Sequence, residues 1–154
     1  MKRFVFPLLA LACACGGADK AKTEVSAAPP TVLTVNDLTG TFNGSTMLAA
    51  KDSVTAVWHN TVTLGAGGTT VEGKWVNAAY PKDTVPFTQV IQGDSVISES
   101  SPFTDRTAPK GSGQVHWKAV GRAHGMEWSG TSVVMPVGKD TVLQSLRWKA
   151  TRTP

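Results

Sequence analysis

A chain of 154 residues, 41% hydrophobic and 17% charged, has a single-domain length and enough apolar content for one ordinary core, unlike charge-rich disordered sequences. Its formal charge is +4, but without Lys2 and Arg3 the 15 basic residues become 13 against 11 acidic ones, a net +2 scattered singly from Lys20 to Arg152. No basic run is present to neutralise phosphates, and nucleic acid is not an expected partner.

The chain opens with an export leader. Lys2 and Arg3 form a positive start, and Phe4 to Ala14 is a run of about eleven uncharged, mostly apolar residues, too short to span a bilayer and the right length for a signal-peptide core. The ending Leu11-Ala12-Cys13-Ala14-Cys15-Gly16-Gly17 resembles the lipobox of bacterial lipoproteins, where a small residue precedes the cysteine that is lipidated and then exposed by cleavage. Residues 1–14 are therefore assigned as the leader and Cys15 as the lipidation site. Cys13 is the alternative, and cleavage there would shorten the apolar core and bring Arg3 close to it. These 2 cysteines are the chain's whole complement, so the folded part has no disulfide, thiolate metal site or cysteine nucleophile. The resemblance implies a diacylglyceryl thioether and an amide-linked acyl chain on Cys15, and hence a membrane partner, because two or more chains suffice for stable anchoring. Gly16 rather than Asp after the cysteine implies, in a bacterium with two membranes, the outer membrane and a periplasm-facing protein.

Residues 15–34 form the lipidated tether. The stretch is rich in Ala, Lys, Thr and Pro, Pro29-Pro30 favours extended backbone, and neither helical nor strand periodicity is sustained. As a flexible coil it would hold the remaining domain, residues 35–154, on the order of 25 Å from the bilayer.

From Leu38 onward, runs rich in Val, Thr, Trp and Phe alternate with clusters of Gly, Asp, Ser, Lys and Pro, the spacing of consecutive antiparallel strands. Eight strands are predicted: Gly40 to Ala49, Ser53 to Leu64, Thr69 to Asn77, Thr84 to Gln92, Ser95 to Ser101, Gly113 to Ala123, Met126 to Met135 and Thr141 to Arg152. Four starts share one device: Lys51-Asp52-Ser53-Val54, Lys82-Asp83-Thr84-Val85, Gly93-Asp94-Ser95-Val96 and Lys139-Asp140-Thr141-Val142. An aspartate in a turn accepts a hydrogen bond from backbone two residues on, and the β-branched residues that follow favour extension. These turns are expected at opposite ends of successive strands, too far apart to gather the oxygens that calcium needs. No window carries uninterrupted helical periodicity. The fold class is all-β, a single antiparallel up-and-down barrel of about eight strands, with a β-sandwich as the alternative; the absence of a long crossover connection favours the barrel.

Short resemblances point the same way. Leu38-Thr39-Gly40-Thr41-Phe42 resembles the Gly-x-Trp opening of lipocalin-like barrels with Phe42 in the tryptophan position, and Arg147-Trp148 on the last strand resembles their terminal arginine. The avidin family opens with a similar Leu-Thr-Gly-Thr strand, and its central hairpin is similar to Trp117-Lys118 through Arg122-Ala123-His124 to Trp128-Ser129-Gly130. That likeness implies aromatic contacts at Trp117 and Trp128. Gly125, Met126 and Glu127 offer no counterpart to the polar groups that hold biotin, so the likeness supports an eight-stranded barrel and not that ligand.

Read with period two, one face collects Phe42, Trp58, Trp75, Phe87, Trp117, Trp128 and Trp148, with Val54, Val71, Val115 and Val142. In a small barrel such a face is either a packed core or the wall of a ligand cavity. Small and polar residues in the same phase, Gly44, Thr46, Gln89, Ser98, Ser100, Gly130, Ser132 and Gln144, leave room and offer orienting hydrogen bonds, so the seven aromatic residues are the candidate ligand-binding set.

The chemistry-bearing residues designate no catalyst. His59 and His116 are expected on the outer face and His124 in a turn, with no paired spacing for a metal, and Glu72, Glu99 and Glu127 are expected in solvent. Neither a Gly-x-Ser-x-Gly elbow, a His-Glu-x-x-His pair nor a phosphate loop occurs. The expectation is a non-enzymatic, lipid-anchored envelope protein without a cofactor or metal, its barrel taking a small hydrophobic ligand. The alternatives are an interaction module docking on an unspecified envelope component and, third, a metal-binding or catalytic barrel.

Overall fold

The computed structural model describes residues 32–65, 70–106, 110–111 and 113–154. The leader, Cys13, Cys15 and the tether up to residue 31 lie outside the described residues. Eight strands follow one another: β1 (Gly40–Leu48), β2 (Val54–Leu64), β3 (Val71–Asn77), β4 (Thr84–Gln92), β5 (Ser95–Ser100), β6 (Val115–His124), β7 (Glu127–Pro136) and β8 (Gln144–Arg152). Every strand pairs antiparallel with its neighbours in sequence, and β8 returns to β1, from Phe42 opposite Arg152 to Leu48 opposite Leu146, closing the barrel. An even number of strands is what lets an all-antiparallel sheet close on itself without a parallel seam. Closure also removes the exposed edges that an open sheet would present.

The predicted strands are recovered with small shifts at their ends, and the β-sandwich alternative is excluded by the β1–β8 ladder. The alternation is aromatic inward and charged outward: Trp58, Phe87 and Trp128 are buried, whereas Lys74, Glu99, Lys118 and Lys149 are exposed. A barrel that crosses a membrane has the opposite polarity, with an apolar band facing lipid.

Two inward assignments are corrected. Val54 is 57% exposed because the β1–β2 register slips between Thr46 and Met47, a bulge that leaves Thr55 unpaired in the ladder and bonds its hydroxyl to the Thr46 carbonyl at 3.1 Å. Val142 is 47% exposed because it lies beyond Gln144, the last β8 residue paired with β7. The aspartate turns are corrected as well. Strand parity places Asp52, Asp83 and Asp140 at one end of the barrel and only Asp94 at the other, so the turns do not alternate as expected. Three of these aspartates pair with arginines: Asp52 with Arg147 at 2.6 Å, Asp83 with Arg106 at 2.9 Å and Asp94 with Arg122 at 3.5 Å.

The two ends of the barrel differ. At the end where β1 begins, a single helical turn, α1 (Val35–Leu38), drops Leu38 into the barrel, where it is 2% exposed and packs with Phe42, Val62 and Trp128. Leu33 adds to this plug from outside. A turn this short has no intrinsic stability. It is held by Asp37, whose carboxylate accepts from the Thr34 backbone N–H at 2.8 Å and the Thr34 hydroxyl at 2.7 Å. The opposite end, where β1 runs into β2, has no such plug among the described residues and forms the mouth.

The Thr34 hydroxyl and then the Thr34 backbone N–H hold the Asp37 carboxyl below the usual aspartate range, with Arg152 adding a smaller contribution. A carboxyl depressed on folding stabilises the folded state above its unfolded pKa, and that contribution is lost as pH falls through the folded value. The expected outcome is that Asp37→Asn lowers the melting temperature at pH 7 and that its deficit relative to wild type shrinks below about pH 4. Thermal unfolding of both proteins from pH 7 to pH 2.5 checks this, and a deficit independent of pH would contradict it.

Candidate ligand cavity

The barrel encloses a cavity of about 820 Å³ that opens at the mouth. Its existence needs explaining, because five tryptophans and three phenylalanines of a small barrel could fill it. The register supplies the reason. Gly44 on β1 stands directly opposite Trp58 on β2, Gly73 on β3 opposite Phe87 on β4, and Gly130 on β7 opposite Trp148 on β8, with Gly121 of β6 next in the row beyond Gly130. A Cβ built on Gly44 would overlap the Trp58 ring, one on Gly73 the Phe87 ring, and one on Gly121 the Trp148 ring. Each ring therefore leans over a glycine of a nearby strand, in the space that a side chain there would take. Bare glycine backbone is covered, and the axis stays clear.

The polar tips of these rings are satisfied by the wall too. Trp58 Nε1 donates to Thr46 Oγ1 at 3.0 Å, and Trp148 Nε1 donates to the Thr131 carbonyl at 3.2 Å. Three further inward polar groups are held within the wall: Gln89 Nε2 donates to Ser98 Oγ at 2.9 Å, and Ser100 Oγ accepts from the Trp117 backbone N–H at 2.9 Å. Asn60, on β2 between the inward Trp58 and Val62, is different. Its Oδ1 is buried without a hydrogen-bond partner, the one such side-chain atom among the described residues.

All seven aromatic candidates, Phe42, Trp58, Trp75, Phe87, Trp117, Trp128 and Trp148, line the cavity. Phe42 meets Trp128 edge to face at 6.1 Å near the floor, and Phe87 meets Trp117 at 5.5 Å higher up. Of the small and polar residues in the same phase, Thr46, Gln89, Ser98, Ser132 and Gln144 line it; Gly44 and Gly130 lie behind the rings, and Ser100 is spent on Trp117.

Sequence reasoning missed four contributors. Leu38 closes the floor but precedes the first strand. Asn60 shares the inward parity of Trp58 and Val62, but a strand amide by itself carries no signal of a site. Gly73 and Gly121 share the inward phase and carry no side chain to mark it. The mouth is built from turns, whose contacts no strand period reports: Phe103, bridged by backbone to Val115, packs on Trp75 at 6.5 Å, and Arg106 both pairs with Asp83 and lies 5.0 Å over the Tyr80 ring. This arginine ties the segment after β5 to the turn between β3 and β4.

The histidines and the glutamates Glu72, Glu99 and Glu127 stand outside the cavity. His59 and His124 are exposed on β2 and β6, and His116 sits beside Glu99 at 3.4 Å on the outer wall, which Lys118 shares at 3.4 Å. Among the described residues, no three of His, Cys, Asp and Glu come together as a metal site. Glu72, Glu99 and Glu127 are exposed.

The glycine–ring pairs can be tested by a double-mutant cycle. Gly73→Ala is expected to cost about 1–3 kcal/mol in denaturant unfolding, as overpacking does, because Phe87 must leave the wall. In a Phe87→Leu background the same change should cost much less, and equal costs in both backgrounds would refute the pairing.

No protein-family model matches the chain, and neither a curated protein nor a solved structure matches it.

Proposed function

We propose that the protein is a non-enzymatic, lipid-anchored component of the bacterial cell envelope whose barrel binds a small hydrophobic ligand. The observation that carries this reading is the cavity, whose volume of about 820 Å³ falls within the roughly 300–1,000 Å³ of small-molecule sites. Its walls are aromatic and aliphatic with a few polar groups, the mixture that binds an apolar body and orients one end of it. A barrel with a plugged floor and one mouth takes its ligand from a single direction. The anchor and address rest on the leader pattern ending at Cys15, and on Gly16 for outer-membrane placement facing the periplasm.

A second reading, an interaction module docking through its outer wall, is favoured by one feature. Val90, Ile97 and Val120 sit side by side on β4, β5 and β6, with Val90 41% and Val120 49% exposed. A protein built only for docking has no use for an open lumen, which is why ligand binding is preferred.

Native mass spectrometry of the protein released from its own cells separates the two. The expected result is a stoichiometric small molecule, removed by denaturing extraction. A clean apo mass together with a retained protein partner would support the second reading instead. The anchor is tested separately by metabolic labelling with a fatty acid: Cys15→Ser is expected to abolish incorporation, and Cys13→Ser to leave it in place. The reverse pattern would move the anchor to Cys13.

A further inference from the structure

The charges and the orphaned amide define which amphiphile the cavity prefers. Among its described lining residues, the charged side chains are Lys82, Asp83, Asp105 and Arg106, two of each sign, all on the turn between β3 and β4 or the segment after β5. The wall contributed by the strands carries no acid, base or histidine. An anionic head carried into the lumen would lose its water and meet no cation, an uncompensated burial of charge. At the mouth it would meet a neutral balance in which Arg106 is already committed to Asp83 at 2.9 Å.

Inside, the polar demand is specific. Trp58 pairs with Thr46 and Gln89 with Ser98; Ser132 and Gln144 also line the lumen, but the buried side-chain atom left without a partner among the described residues is Asn60 Oδ1. A buried carbonyl without a partner is a costly arrangement that folded proteins rarely retain, and it is relieved by any donor brought within reach. Asn60 stands opposite Phe42 on β1 and opposite Trp75 on β3, and both of these rings line the cavity. The soft Cβ–Cγ torsion of asparagine lets the amide turn its oxygen toward the lumen.

We propose that the cavity selects an uncharged amphiphile bearing a hydrogen-bond donor, such as a long-chain alcohol or primary amide, over the corresponding anion, with the donor held by Asn60. This deepens the ligand-binding reading and rests on it. Fatty-acid carboxylates are disfavoured, because nothing along the strands offers them a cation and the two cations at the mouth, Lys82 and Arg106, stand with the carboxylates of Asp83 and Asp105. An uncharged ligand lacking a donor would fill the same apolar space and leave Asn60 unrelieved.

The test uses the full chain carrying Cys13→Ser and Cys15→Ser, in detergent-free buffer, titrated at pH 8 with three probes of equal chain length: 1-dodecanol, methyl dodecanoate and dodecanoate. Binding is read from tryptophan fluorescence, since all 5 tryptophans line the cavity. The expected order has the alcohol about three- to tenfold tighter than the ester, the worth of one neutral hydrogen bond, and at least tenfold tighter than the anion. Asn60→Val should erase the advantage of alcohol over ester while leaving ester affinity within about twofold.

Dodecanoate binding as tightly as the alcohol, or alcohol and ester binding equally to wild type, would overturn the proposal with ligand binding still standing. No binding by any of the three would overturn both. The wild-type comparison keeps the proposal open to refutation even if Asn60→Val fails to fold. Equal losses for alcohol and ester in a folded Asn60→Val protein would count against it, because they would assign Asn60 a packing role.

Discussion

Rings laid over glycines are the contact on which the rest of this barrel depends. Trp58 over Gly44, Phe87 over Gly73, and Trp148 over Gly121 and Gly130 each spend a large apolar surface on covering bare backbone of the adjacent strand. Three consequences come from one geometry. The wall is sealed by aromatic area, the axis is left clear, and the indole N–H groups of Trp58 and Trp148 point along the wall toward Thr46 and the Thr131 carbonyl. These two tryptophans thereby satisfy their own polar atoms within the wall. A Cβ on Gly44, Gly73 or Gly121 would overlap these rings and displace them from the wall.

The lumen has one closed end and one open end, and the two are built by different means. The floor is hydrophobic: Leu38 is inserted from a single helical turn that the Thr34–Asp37 hydrogen bonds keep in place. The mouth is polar at its rim, where Arg106 joins Asp83 and Tyr80 while Phe103 and Trp75 carry the aromatic wall outward. Side chains at the Arg106–Asp83 pair are about half exposed, so this tie is screened by water and is a weak clasp compared with the buried floor. The floor is therefore held by buried apolar contacts and the mouth by an exposed ion pair.

The outer wall accounts for the remaining charge. Glu99 collects Lys118 and His116, Arg122 meets Asp94, and Arg147 meets Asp52, all as exposed or half-exposed pairs across neighbouring strands or turns. Such pairs contribute little stability. They keep the outer surface hydrated around the apolar stripe of Val90, Ile97 and Val120, and they stand away from the cavity.

Local sequence determined the strands, because period-two alternation and turn residues are both short-range signals: Thr84–Gln92 was legible to the residue, bounded by Asp83 and Gly93. It determined which face is inward as well, and with it all seven aromatic residues of the cavity wall, since parity along a strand needs no partner. It failed where a partner decides. Val54 left the inward phase through a bulge that exists only in the pairing with β1, and Val142 left it because β8 loses its β7 partner beyond Gln144. Closure of β1 on β8, a contact between the two ends of the domain, carries no local signal. How three of the rings lie was decided by register, because only register says that a glycine stands opposite Trp58, Phe87 and Trp148. The orphaned carbonyl of Asn60 belongs to the same class: an amide on a strand is ordinary until the tertiary structure withholds its partner.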